Sequence, residues 1–142
     1  MEFLTKSAQE TKKLGRKLGS SLKGGEIIAL VGELGSGKTT FVQGLARGLG
    51  IKTRIISPTF ILLRKYSTQN FYHVDLYRLE ENLEDEVRNL GLEDVWNNKN
   101  NVVVIEWAEK IKDMLPKNTV WMNFEVLGNE ERRIRIKNSK VL

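Results

Sequence analysis

The stretch Glu26-Ile27-Ile28-Ala29-Leu30-Val31, continuing as Gly32-Glu33-Leu34-Gly35-Ser36-Gly37-Lys38-Thr39-Thr40-Phe41, decides how the rest of the chain is read. Its first part is an apolar run without alternation, the pattern of a strand covered on both faces. Residues 39–49 then place Phe41, Leu45, Ala46 and Leu49 on one side of a helix. Between them, residues 32–39 satisfy G-x-x-x-x-G-K-[ST]. Gly35 and Gly37 let the backbone curl so that successive amides point inward at phosphate oxygens. The helix beginning near Lys38 directs its positive end at the same place. Lys38 suits the β- and γ-phosphates, and the Thr39 hydroxyl suits magnesium. Thr40 offers its amide or hydroxyl to the α-phosphate. The ligands expected from these residues are ATP and Mg2+.

Outward from that unit, Ser7-Ala8-Gln9-Glu10 has capping-box spacing. Leu14, Leu18 and Leu22 predict a one-sided helix running to Gly24-Gly25. Residues 59–66 and 71–77 read as two strands around Ser67-Thr68-Gln69-Asn70, an antiparallel hairpin. Residues 83–90 form a short acidic helix that Gly91 ends. Val102-Val103-Val104-Ile105-Glu106 is a second buried strand, and residues 110–115 are helical up to Pro116. Residues 119–126 and 132–137 are closing strands joined at Gly128-Asn129. Apolar runs flanked by helices predict an α/β, P-loop NTPase-like three-layer domain with a mixed sheet. The hairpin and the closing strands supply its antiparallel part. At 142 residues, one domain over 1–142 is expected.

Composition narrows the partners little. Hydrophobic residues make up 40% and charged ones 29%, an ordinary globular balance. The apolar runs fall far short of the roughly 20 residues that span a bilayer, and no charged-then-apolar leader opens the sequence. A cytoplasmic location is expected, with no membrane partner. There is no cysteine, hence no disulfide and no thiolate zinc site. The net charge of +5 suits RNA, an acidic protein or nucleotide phosphates, and equally a plain soluble surface. Lys12, Lys13, Arg16 and Lys17 are the densest basic cluster, on the polar face of the first helix.

A magnesium ion on a triphosphate calls for protein carboxylates. Glu106 ends the second buried strand, where an α/β sheet opens its ligand crevice. Trp107 beside it either walls the site or packs in the core. In a strand, His73, Asp75 and Tyr77 share one face, and Asp75 becomes the second acid, acting on water or on the metal's water. His73 is the only histidine; without a histidine or cysteine companion it reads as a hydrogen-bonded structural residue. Ser57-Pro58-Thr59-Phe60 places a hydroxyl where switch threonines sense a γ-phosphate, so Thr59 joins the catalytic candidates; the same residues also describe a proline turn.

Taken in order, residues 32–40, Ser57-Pro58-Thr59-Phe60, His73-Val74-Asp75-Leu76-Tyr77-Arg78 and Glu106-Trp107 resemble the bacterial TsaE (formerly YjeE) family, over nearly the whole chain. The resemblance implies an ATPase that acts with a threonylcarbamoyl-transferase subunit and its inactive paralogue. In that family, ATP hydrolysis sustains threonylcarbamoyl transfer to the adenosine beside the anticodon, and tRNA is met at the complex. Residue by residue it implies that Glu33, Gly35, Ser36, Gly37, Lys38, Thr39 and Thr40 bind nucleotide. It also implies that Thr39 and Glu106 serve the metal, and that Asp75 supports hydrolysis. Thr11 approaches the adenine, and Arg132 or Arg133 reaches the nucleotide from the end of the sheet. One departure is Ala108, where the family usually carries proline after Glu-Trp.

Three rivals share the loop. A small P-loop kinase of a nucleoside or other small molecule needs an arginine-bearing lid, whereas the stretch after Glu106 is short and lysine-rich. A GTPase switch needs a guanine-reading carboxylate, but Asn98-Lys99-Asn100 is followed by Asn101. A non-catalytic nucleic-acid or scaffold module is permitted by the basic charge. With little built-in equipment to position water, slow intrinsic hydrolysis that depends on partners is expected.

Overall fold

The computed structural model describes residues 1–55, 63–66 and 70–138. Ser57, Pro58, Thr59 and Phe60 lie outside the described residues, as do Ser67, Thr68 and Gln69. The elements in chain order are β1 (Glu2–Thr5), α1 (Ala8–Gly19), β2 (Ile27–Val31), α2 (Lys38–Gly48), β3 (Leu63–Tyr66) and β4 (Phe71–Asp75). They continue with α3 (Leu83–Asn89), α4 (Leu92–Trp96), β5 (Val102–Glu106), a 3₁₀ stretch (Ala108–Met114), β6 (Val120–Gly128) and β7 (Glu131–Lys137). Among the described residues the strands form one sheet in the order β1-β7-β6-β2-β5-β4-β3. The four inner strands β6, β2, β5 and β4 run parallel. The flanking pairs β3/β4, β6/β7 and β1/β7 are antiparallel. This is the mixed sheet read from the sequence.

Alternation in the inner strands divides the core into two. Ile28 and Leu30 of β2 and Val102 and Val104 of β5 face Phe41, Val42 and Leu45 of α2. Ile27, Ala29, Val103 and Ile105 face Val87, Leu92, Trp96, Ala108 and Ile111 on the opposite side. A strand buried on both faces cannot alternate polar with apolar, which is why both runs read as continuous hydrophobic sequence. The chain therefore forms three layers. The connection leaving β2 enters the α2 layer, and the one leaving β5 enters the other layer. The crevice between these neighbouring strands is the topological switch point of the sheet.

Two elements differ from the sequence reading. Strand β1 was not expected; it is held by Met1 and the β7 ladder, with Ile136 N–H donating to Met1 O at 2.8 Å. Helix α1 ends at Gly19 instead of Gly24-Gly25. Its buried residues are Thr11, Gly15 and Gly19, while Leu14, Leu18 and Leu22 are only partly covered. Backbone contact is the reason: a Cβ on Gly15 would stand 2.3 Å from Phe41 O, and one on Gly44 1.9 Å from Lys12 O. The two helices cross on glycines, so the leucine stripe flanks the seam and does not form it. Leu92 and Trp96 lie in a short helix within the second core, as packing anchors. Ser7 does cap α1, its Oγ accepting from Glu10 N at 3.1 Å. Among the described residues, no helix is long and apolar enough to cross a membrane.

Candidate nucleotide site

Residues 32–37 connect the end of β2 to α2, and the loop is built on left-handed backbone. Gly35 has φ 79° and Gly37, which precedes the first residue of α2, has φ 96°. Side chains rarely adopt these angles, and a Cβ on Gly35 would meet nothing within 4 Å. The loop thus closes over open space with α2's first amides, which have no partners inside the helix, directed at it. A cavity of about 350 Å³ lies there, lined among others by Gly35, Gly37, Lys38, Thr39, Thr40, Asp75, Glu106 and Arg132. Residues from four separated segments meet at one place.

Lys38 is nearly inaccessible. Its ammonium donates to Gly32 O at 2.6 Å and stands 3.8 Å over the Trp107 ring. Burial lowers its pKa below the ordinary lysine value, and Glu106, Glu109 and Asp75 act in the opposite direction. Trp107, which also stacks on Tyr77 at 5.1 Å, walls the site. It adopts φ 62°, costly for an aromatic residue and of the order of 1–3 kcal/mol. The departing chain enters the 3₁₀ stretch at Ala108, which is fully buried. Proline is absent there, and the turn is made by Trp107's left-handed backbone.

Both acids arrive on the ends of adjacent parallel strands. Asp75 and Glu106 are register partners across β4 and β5, and both are buried. Asp75 Oδ1 accepts from Tyr77 N at 2.9 Å, which turns the chain sharply out of β4. Glu106 Oε2 lies 2.5 Å from His73 Nε2. The face shared by His73 and Asp75 is the α2 face; Tyr77 has left the strand.

The remaining candidates separate. Arg132 Nε donates to Ser36 O at 3.0 Å and Nη2 to Gly35 O at 3.2 Å, while Nη1 donates to Gly128, Asn129 and Glu131 carbonyls. It clasps the glycine loop to the β6–β7 turn. Arg133, next along β7, projects to the other side and pairs with Glu125 and Glu2; it is not brought to the loop. Thr11 is buried, its hydroxyl 2.7 Å from that of Thr5, and lines a small annex of about 70 Å³ with Ala8, Gly37, Thr40, Glu130 and Arg132. Glu33 is exposed, and its carbonyl accepts from Ser36 N at 3.0 Å. Ser36 is buried, and its hydroxyl has no hydrogen-bond partner among the described residues.

Sequence reasoning missed Lys110. Its ammonium donates to Leu76 O, Tyr77 O and Leu79 O at 3.1, 2.9 and 3.0 Å, clamping the segment that leaves Asp75. A lysine on a short helical stretch carries no mark of that role. A larger hollow of about 840 Å³ lies elsewhere, beside β1 and the basic residues Lys13, Arg16, Lys17 and Arg47. Among the described residues it has neither glycine loop nor paired strand-end acids.

No cluster of three or more histidine, cysteine or carboxylate groups able to hold a metal occurs among the described residues. Thr39, Asp75 and Glu106 offer oxygen only, which fits a hard cation such as Mg2+ whose other ligands are phosphate oxygens and water.

A family model described as threonylcarbamoyl adenosine biosynthesis protein TsaE matches residues 5–134. The tRNA threonylcarbamoyladenosine biosynthesis protein TsaE of Treponema pallidum is 42% identical, covering 96% of this chain and 99% of that protein. The protein of the same name from Rickettsia felis is 43% identical, over 92% and 75%. The crystal structure of YdiB from Bacillus subtilis superposes with a TM-score of 0.78 at 32% identity, covering 94% of this chain and 82% of that one.

Proposed function

Because the chain belongs to the TsaE family of threonylcarbamoyl adenosine biosynthesis proteins, we propose that it binds and hydrolyses ATP in the formation of threonylcarbamoyladenosine on tRNA. One observation carries the ATP reading. Gly35, Gly37, Lys38, Thr39 and Thr40, from the glycine loop and the start of α2, line one cavity together with two carboxylates on adjacent strand ends, Asp75 and Glu106. The amides and Lys38 bind and orient the β- and γ-phosphates. Thr39 and Glu106 hold Mg2+, which supplies charge neutralisation on the phosphates when bound. Asp75 positions the attacking water or its proton. Thr11 borders the adenine, and Arg132 keeps the loop in its curled form. The partners are the threonylcarbamoyl-transferase subunit and its inactive paralogue, with tRNA met at the complex, in the cytoplasm. The chemistry is ATP + H2O to ADP + phosphate, slow in the isolated chain.

Equilibrium binding of ATP with and without Mg2+, followed by phosphate release alone and with the transferase complex, tests this reading. Expected are metal-strengthened ATP binding and partner-stimulated release of free phosphate. Absence of nucleotide binding by the parent chain would overturn it, and label passing from γ-phosphate to a nucleoside would convert it to the kinase reading.

A further inference from the structure

We infer that His73 is a positioning residue for Glu106, fixing one carboxylate oxygen so that the other is presented to the site. The inference deepens the proposed ATP and Mg2+ reading and rests on it.

Glu106 is 3% exposed at the end of a strand whose preceding residues are all apolar. A carboxylate in such surroundings is costly unless its oxygens are hydrogen-bonded. His73 Nε2 meets that need at 2.5 Å from Oε2. A carboxylate only accepts, so Nε2 carries the proton and donates it. The register explains the reach: His73 pairs with Val104 and Asp75 with Glu106, so the donor is one side-chain step behind its acceptor on the same face. One strand thereby delivers both the second acid and the group that orients the first.

The other half of the ring argues against a purely structural role. His73 is fully buried, and Nδ1 has no hydrogen-bond partner among the described residues. A buried polar atom left unpaired costs on the order of 1–3 kcal/mol. An aliphatic side chain on the same face of β4 would avoid that cost. Among the described residues the ring makes one hydrogen bond, and that N–H serves Glu106. Partners behind a ligating carboxylate typically change metal affinity about 10–100-fold when removed.

The test measures ATP affinity in EDTA and at graded free Mg2+ for the parent, His73→Leu, His73→Asn and His73→Gln, with melting curves for each. The Gln amide can place its nitrogen where Nε2 stands, whereas the shorter Asn amide cannot. Affinity in EDTA is expected to be close to the parent's in all variants. The free Mg2+ giving half-maximal strengthening is expected to rise about 10–100-fold in His73→Leu and His73→Asn, and to return most of the way in His73→Gln. If His73→Leu does not fold, the Asn and Gln variants carry the comparison. A parent that responds to Mg2+ while the Leu or Asn variants respond identically would overturn the role of His73 and leave the proposed function standing. A Gln variant shifted as far as Asn would overturn it too. A parent that binds no ATP would overturn both.

Discussion

Lys38 places a charge where folding has to bear the cost of its burial. Its charge is buried against Gly32 O and Trp107, and its folded-state pKa lies below the ordinary value of 10.5. Between the lowered pKa and 10.5 the unfolded chain holds more protons than the folded one, so stability rises with pH in that window. Below the window the cost of the buried charge is constant. The melting-temperature difference between Lys38→Met and the parent, taken as variant minus parent without nucleotide, is therefore expected to fall as pH is raised from neutral towards 10.5. A difference that grows with pH would contradict desolvation as the dominant cause. Towards nucleotide the same substitution acts oppositely. Loss of one charge-assisted contact of about 1.5–3 kcal/mol predicts roughly 10–150-fold weaker ATP binding, read by calorimetry. Asp75→Asn is expected to leave ATP affinity within a few-fold and to reduce phosphate release in the complete complex by about 100-fold or more, the scale of a lost acid–base group.

At the scale of elements, the α1–α2 seam and the Lys110 clamp are the features to probe. Gly44 meets Lys12 O and Gly15 meets Phe41 O so closely that no side-chain rotation relieves an added methyl. Gly44→Ala should separate the helices and destabilise the fold by roughly 1–3 kcal/mol or more, in spite of alanine's better helix propensity. Urea unfolding measures it; a stabilised variant would mean that the seam gives way easily. Because the glycine loop of the proposed nucleotide site leads into α2, the same variant is expected to weaken nucleotide binding. Lys110 presents three donors to three convergent carbonyls, a match for a tetrahedral ammonium and not for a planar guanidinium. Lys110→Arg is therefore expected to behave like Lys110→Met, with slower phosphate release in the complex and little change in ATP affinity. Restoration of full release by arginine would show that charge alone suffices.

For the whole molecule, binding and stability are linked. Mg-ATP at 100 times its dissociation constant adds about 2.7 kcal/mol to the folded state, and at this chain length that raises the melting temperature by roughly 5–10 °C. The shift should be far smaller in Lys38→Ala at equal ligand concentration. A parent that melts at the same temperature with and without Mg-ATP would speak against the site.

What the sequence determined alone is local and periodic. The unalternating runs at 27–31 and 102–106 specified strands buried on both faces, and the glycine spacing specified the loop between strand and helix. Glu106 stood out as the acid that ends an apolar strand, and Asp75 as a member of a polar row with His73 on one strand face. Tertiary structure decided everything that depends on distance along the chain. It brought Arg132 and not Arg133 to the loop, since one residue of register on β7 reverses the face. Strand β1 exists because β7 offers it a ladder, and α1 packs by its glycines because α2 presents glycines in return. The His73–Glu106 bond and the Lys110 clamp join residues more than 30 positions apart. Periodicity records which face of an element is buried; only the folded sheet determines what that face meets.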